Sequence, residues 1–102
     1  MSITYAVVGK KTYEDLVTNK DKYVYEVPSI SEDLEEAKAE SNKYMAMSLC
    51  QMNRNDSGRR LKEVDSKVIP FEGLHKIEDV RKVIDIASKN EKNMDIIMSK
   101  GR

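Results

Sequence analysis

Few residues in this 102-residue chain could do chemistry by type, and fewer by spacing. One histidine, His75, and one cysteine, Cys50, leave almost nothing for a His/Cys metal site. A Ser/His/Asp triad would need His75 as its base, and nothing in the sequence sets a nucleophile beside it. Gly9-Lys10-Lys11 has one glycine of a phosphate loop and lacks the second glycine and the Gly-Lys-Ser/Thr ending. The best-spaced pair is Asp65 and Lys67, which strand alternation puts on one face. The densest cations are Arg54, Arg59, Arg60 and Lys62, around the polar stretch Asn53 to Arg60. Such a stretch can be a solvated loop. It can also contact an anion, because the guanidinium fork binds phosphate or carboxylate bidentately.

Asp56 followed by Val64-Asp65-Ser66-Lys67-Val68 resembles the Asp…Asp/Glu-x-Lys arrangement of restriction-endonuclease-like nucleases. The resemblance implies two acids holding Mg²⁺, a lysine on the same strand face steadying the attacking water, and Glu36 or Glu40 of an upstream helix completing the site. Asp56 departs from that pattern, since it stands in a polar turn rather than at a strand end. The bland alternative is a solvent-facing ion pair between Asp65 and Lys67.

The elements that must position these residues are organised around 29–53, the longest helical signal. Pro28 closes the segment before it. Ser29 or Ser31 is the expected N-cap, and Ser29 with Glu32 has capping-box spacing. Glu32, Asp33, Glu35 and Glu36 suit the positive end of the helix dipole. Leu34, Ala37, Ser41, Tyr44/Met45, Ser48/Leu49 and Met52 form one stripe at spacings of three and four. From Tyr44 onward the stripe widens. The expectation is a buried second half, with Cys50 as a buried thiol and Met45 and Met47 filling core gaps; the alternative is an adaptable partner surface.

Before this helix, 3–8 reads as a strand buried on both faces. Gly9 to Lys11 reads as a turn, 13–19 as a short helix capped by Thr12, and 22–27 as a half-exposed strand with Tyr23, Tyr25 and Val27 on one side. An aromatic RNA-reading face would want interleaved basic residues, and Lys22 is the one candidate in that strand. After the helix, a strand is expected at 67–70, starting as early as Lys62. An amphipathic helix over 76–88 carries Ile77, Val80, Val83/Ile84 and Ala87, and Met94, Ile97 and Met98 extend its stripe toward Gly101. Tyr13-Glu14-Asp15-Leu16, Ser31-Glu32-Asp33-Leu34 and Ile77-Glu78-Asp79-Val80 echo one another. Convergent helix starts explain that, as would duplicated strand–turn–helix units.

The expected fold is therefore α+β: a small sheet of three or so short strands against one long central helix and C-terminal helices, with 1–102 as one domain. No apolar run is long enough to span a bilayer and no signal-peptide pattern opens the chain, so a cytoplasmic, non-membrane protein is expected, in a reducing compartment. Net charge is zero overall, but residues 1–50 carry six lysines against nine acids, and residues 51–102 carry twelve Lys and Arg against nine acids. That balance disfavours a dedicated duplex binder. The expected function is a non-enzymatic protein–protein interaction or regulatory module with no cofactor and no metal. Its candidate contact residues are Arg54, Arg59, Arg60, Lys62, Met45 and Met47, and its partner a protein or peptide. A homodimer through Met45, Met47, Leu49 and Met52 is the subsidiary expectation. In size and lack of motif the chain is similar to phage and viral accessory proteins. The alternatives are a nucleic-acid binder using the basic 54–62 stretch and a Mg-dependent nuclease using Asp-x-Lys.

Overall fold

Three long antiparallel strands form the middle layer, and helices cover both of its faces. The computed structural model describes residues 2–101, with 55 and 56 described by backbone alone. Chain order is β1 (Ile3–Asp15), β2 (Asp21–Ser31), α1 (Leu34–Leu49), β3 (Asn55–Asp56), β4 (Arg59–Glu72), α2 (Ile77–Ala87) and α3 (Glu91–Ser99). The sheet order is β2-β1-β4-β3, so β1 is central and the two-residue β3 only extends one end of the β4 edge. The fold is α+β, as the sequence implies. The strands run 13, 11 and 14 residues, well beyond the expected 3–8, 22–27 and 67–70, and the long helix forms one of two flanking layers.

Gly9-Lys10-Lys11 does not turn. β1 runs through it to Asp15, and the expected helix at 13–19 is instead the end of β1 and a β1–β2 turn. Asp15 decides the matter locally: its Oδ1 accepts from the Val17 and Thr18 N–H groups at 2.8 and 3.2 Å. This Asx turn competes with helix initiation, and Asn19 takes the left-handed conformation (φ 58°) that completes it. The first helix-start echo is therefore a turn, while the other two stand at the starts of α1 and α2.

Pro28 does not end β2. Val7 pairs with Ser29 and Gly9 with Glu26, so Val27 and Pro28 together oppose Val8. Proline is tolerated in this bulge because the ladder is already interrupted and β2 is an edge strand. The chain leaves β2 only after Ser31, and the N-cap of α1 is Asp33, whose Oδ1 accepts from the Glu35 N–H at 2.9 Å. The Ser29/Glu32 capping box does not form; Ser31 Oγ accepts from the Asp33 N–H instead.

Alternation sorts the strands onto two faces. Ala6, Val8, Val27 and Ile69 form one core with Val80, Ile84 and Ala87 of α2 and Met94 of α3, all buried. Full burial of each such branched side chain is worth about 1.5–3 kcal/mol. On the other face α1 docks through small residues, Ala37, Ser41 and Ser48, which lets the helix approach the strand backbones. Ser41 Oγ and Ser66 Oγ share a 2.6 Å hydrogen bond across this contact. The expectation of a buried Met-rich end is overturned. Met47 and Leu49 are 64% and 57% exposed, and Cys50 is exposed with its thiol on the Ala46 carbonyl. The buried side of α1 is kept to the line Ala37, Ser41 and Ser48, and Met47 and Leu49 on either side of Ser48 face solvent.

The expected basic loop after α1 is largely hairpin. Asn53 ends the helical region with φ 63°, and its N–H donates to the Leu61 carbonyl at 3.0 Å. Ser57 and Gly58 both have positive φ, as a two-residue type I′ turn requires, with Asp56 paired to Arg59. β4 then runs fourteen residues, far beyond 67–70. Ser88 to Asn90 breaks the C-terminal helical stretch in two, and Asn90 caps α3 by accepting from the Lys92 N–H at 3.0 Å.

Candidate functional site

The predicted cationic residues do not converge. Arg59 lies over the Tyr13 ring, 4.1 Å from its centroid. Arg60 pairs with Glu14 at 2.9 Å and Lys62, the extra residue of a β4 bulge, with Asp21 at 3.3 Å. Arg59 and Arg60 are adjacent in β4 and so project to opposite faces. Arg54 is exposed in the segment between α1 and β3. An anion arriving here would have to displace carboxylates already in place, in pairs that are partly exposed and so worth little to the fold.

The nuclease-like residues are separated by the sheet itself. Asp65 and Lys67 do share a face of β4, opposite Lys10 and Val8. That is the α2–α3 side, whereas Glu36 and Glu40 ride on α1 across the sheet. The side chain of Asp56 lies outside the described residues. Among the described residues no three His, Cys, Asp or Glu side chains gather closely enough to hold a metal ion. His75 has hydroxyl neighbours that its sequence context did not suggest: Ser2 Oγ at 3.1 Å from Nε2 and Thr4 Oγ1 at 3.4 Å from Nδ1. Both ring nitrogens thus face hydroxyls, not the carboxylate that orients a triad base.

Lys62 and Asp65 line a small polar cleft of about 200 Å³ with Lys10, Thr12, Asp21, Tyr23 and Glu63; three larger concave regions are found among the described residues. The first, about 370 Å³, lies beside α1 and is lined by Lys11, Glu26, Tyr44, Met47, Ser48 and neighbours. Lys11 is only 8% exposed; its Nζ is 3.2 Å from Glu26 Oε1 and 5.4 Å from the Tyr44 ring centroid. The Tyr44 hydroxyl is buried without a well-formed hydrogen bond. Burial first, and the Glu26 charge second, push its pKa up to about 12. Met47 edges this cleft, while Met45 is half-buried farther along. The second, about 500 Å³, lies between the β2 bulge and α2; there Arg81 Nε donates to the Val27 carbonyl at 3.1 Å.

The third is the most apolar. Val83, Ile86 and Ala87 of α2 face Asn93, Ile96 and Ile97 of α3 across a groove of about 410 Å³. Ile86 and Ile96 are 68% and 58% exposed. The sequence reading missed this groove. Its signal was a second pair of branched aliphatics, Ile86 and Ile96, lying off the core stripe that runs through Val80, Ile84, Ala87 and Met94. A helix that needs only one apolar face to dock has no packing use for a second.

No helix among the described residues is long and apolar enough to cross a membrane. No family model, no curated protein sequence and no solved structure matches the chain.

Proposed function

We propose that this chain is a non-enzymatic protein–protein interaction module whose contact surface is the α2–α3 helical hairpin. One observation carries the reading: two isoleucines and Val83 are held in solvent around one apolar groove by helices whose other faces already fill the core. Single exposed apolar residues are ordinary, but a contiguous group rimmed by polar residues favours a partner. Completing the burial of these three partly covered side chains offers about 0.5–2 kcal/mol each, a share of the contact energy to which the rest of a partner's surface must add before association entropy is met. The basic 54–62 stretch supports a nucleic-acid reading less well, because Arg59, Arg60 and Lys62 already sit on an aromatic ring or a carboxylate. The exposed Cys50 thiol fits a reducing, cytoplasmic setting, which forms part of the same proposal.

The test is site-specific photocrosslinking. A photoreactive residue replaces Ile86 in one variant and Val17, exposed in the β1–β2 turn, in another. The expected result is an adduct of one defined mass from position 86, absent from position 17 and lost when Ile96→Asp is added. Equal labelling at both positions, or an adduct indifferent to Ile96→Asp, defeats the proposal. An adduct of twice the chain's mass would identify the partner as a second copy.

A further inference from the structure

The groove has a charge signature of its own. On a helix, residues three and four apart are neighbours. By that rule Ile86 has Lys82 and Val83 beside it, and Ile96 has Lys92, Asn93 and Ser99; Lys89 and Lys100 follow just past the two helix ends, where their N–H groups donate to the Ile86 and Ile97 carbonyls. Lys82 and Lys92 on the helices and Lys89 and Lys100 at their C-terminal ends thus flank the two most exposed isoleucines of the hairpin, and their neighbours three and four residues away include no acid. Val83 adds one acid neighbour, Asp79, in the first turn of α2, where the dipole accounts for it.

Three of the hairpin's remaining acids, Asp85, Glu91 and Asp95, lie toward β2. Asp85 lines the cleft on the far side of α2 with Tyr25 and Arg81. Glu91 and Asp95 stand close enough to Tyr25 for their charge to add to burial in raising its phenol pKa. The hairpin thus presents an acidic flank to the sheet edge and a lysine-rimmed apolar groove to solvent.

We infer that the α2–α3 groove takes an acidic amphipathic helix of a partner protein, its apolar stripe seated on Ile86 and Ile96 and its carboxylates facing Lys82, Lys89, Lys92 and Lys100. This rests on the interaction reading above and names the partner's chemistry. Two side-by-side helices offer a third one a ridge-and-groove seat. α2 and α3 are eleven and nine residues long. The groove itself is lined from 83 to 87 on α2 and from 93 to 97 on α3, about one turn of each, so it engages about one to two turns of the partner, read as i and i+3/i+4 anchors. The surface is concave and the chain has no tryptophan, which suits a helix better than a bilayer surface. The chain's own acidic helix, α1, is committed to the opposite face of the sheet.

The experiment uses the full chain and two fluorescein-labelled synthetic peptides of about 20 residues, long enough to be helical. Both carry the same leucine stripe; one has a glutamate rim, the other a lysine rim, with equal helicity checked by circular dichroism. Anisotropy titrations at ~50 and ~500 mM salt separate the charge contribution from the apolar one. The expected result is roughly ten-fold tighter binding of the glutamate peptide at low salt, shrinking at high salt. The double variant Lys82→Glu/Lys92→Glu should reverse the preference, and Ile86→Asp/Ile96→Asp should abolish binding of both. Equal affinities, a preference for the lysine peptide, or no binding of either would overturn the inference. So would sedimentation of the chain with phosphatidylserine vesicles if the glutamate peptide failed to compete. An Ile96-dependent crosslink from position 86 with no glutamate preference leaves the interaction reading standing and removes the acidic helix. Failure of both experiments removes both.

Discussion

The ring and hydroxyl of Tyr44 occupy the space that a side chain at Gly9 would fill. A Cβ at position 9 would overlap the Tyr44 ring, so α1 sits at its present distance from β1 because that strand position has no side chain. Ala ordinarily serves a strand better than Gly by about 0.5–1 kcal/mol. Gly9→Ala is expected to reverse that sign and destabilise by about 1–3 kcal/mol, the usual cost of overpacking. Urea unfolding of Gly9→Ala, Tyr44→Ala and the double variant checks it. The double variant should be more stable than the sum of the two losses predicts. A neutral or stabilising Gly9→Ala would mean that the helix can lift off the strand at no cost.

Tyr44 also gives the fold a signature at high pH. Its pKa is raised to about 12 by burial, against about 10 in an unfolded chain. Below pH 10 both states hold the proton and the phenol contributes nothing to the pH dependence. Between about 10 and 12 the unfolded chain releases the proton more readily, so stability falls as pH rises. Tyr44→Phe should flatten the fall across that window relative to the parent chain. The comparison is needed because lysines titrate in the same range. The buried hydroxyl lacks a good partner, so Tyr44→Phe should also be neutral or slightly stabilising at pH 7. A loss of more than about 1 kcal/mol there would show that the hydroxyl is satisfied after all.

Lys11 and Glu26 are an unequal pair. The Lys11 side chain is nearly enclosed, whereas that of Glu26 is substantially exposed. Removing Glu26 leaves an ammonium in a poorly hydrated site, while removing Lys11 leaves a carboxylate that water can reach. Glu26→Gln is therefore expected to cost about 1–2 kcal/mol, and Lys11→Met less, since its stem is replaced by an apolar one of similar length. Thermal unfolding of both ranks them. A larger loss for Lys11→Met would transfer the importance of the pair to the cation–π contact with Tyr44.

The fold class was legible in the sequence, and the reasons for the misses are local. The 76–88 helix was readable because Ile77, Val80, Ile84 and Ala87 keep helical spacing and bury what that spacing predicts. Gly9 and Pro28 were misread because glycine and proline are punctuation only on average. Here Gly9 makes room for Tyr44 and Pro28 sits in a bulge, so both strands run on. Asp15 looked like a helix-start acid and instead closes a turn through its own carboxylate. Of the expected contact residues, Met47 is exposed, Met45 is half-buried, Arg54 precedes β3, and Arg59, Arg60 and Lys62 are dispersed along β4. That dispersal follows from β4 pairing, which single-sequence spacing cannot reveal when a run of charges can be either loop or strand.

Cys50 separates the sequence reading from the structure directly. A thiol buried in a helical core resists labelling until the chain unfolds. The exposed Cys50 at the end of α1 should instead react with a maleimide in the native state, to one equivalent, at close to the rate of the unfolded chain. Protection that disappears only in denaturant would restore the buried Met-rich end and move Met47 and Leu49 into a core or an interface.

The β3–β4 turn tests whether the basic stretch is ordered. Gly58 has φ +81° and open space where a Cβ would go. Substitution there costs backbone strain alone, about 1–2 kcal/mol for an L-residue in that region. The carbonyl of Gly58 also accepts from the Leu16 N–H at 2.9 Å, tying this turn to the β1–β2 turn. Gly58→Ala should therefore lower stability by about that amount and speed amide exchange at Leu16 as well as within 54–60. An unchanged midpoint in urea and unchanged exchange at Leu16 would return 53–60 to a solvated loop. Arg59 and Arg60 would then be released from Tyr13 and Glu14, and an anion contact by this stretch would regain its footing.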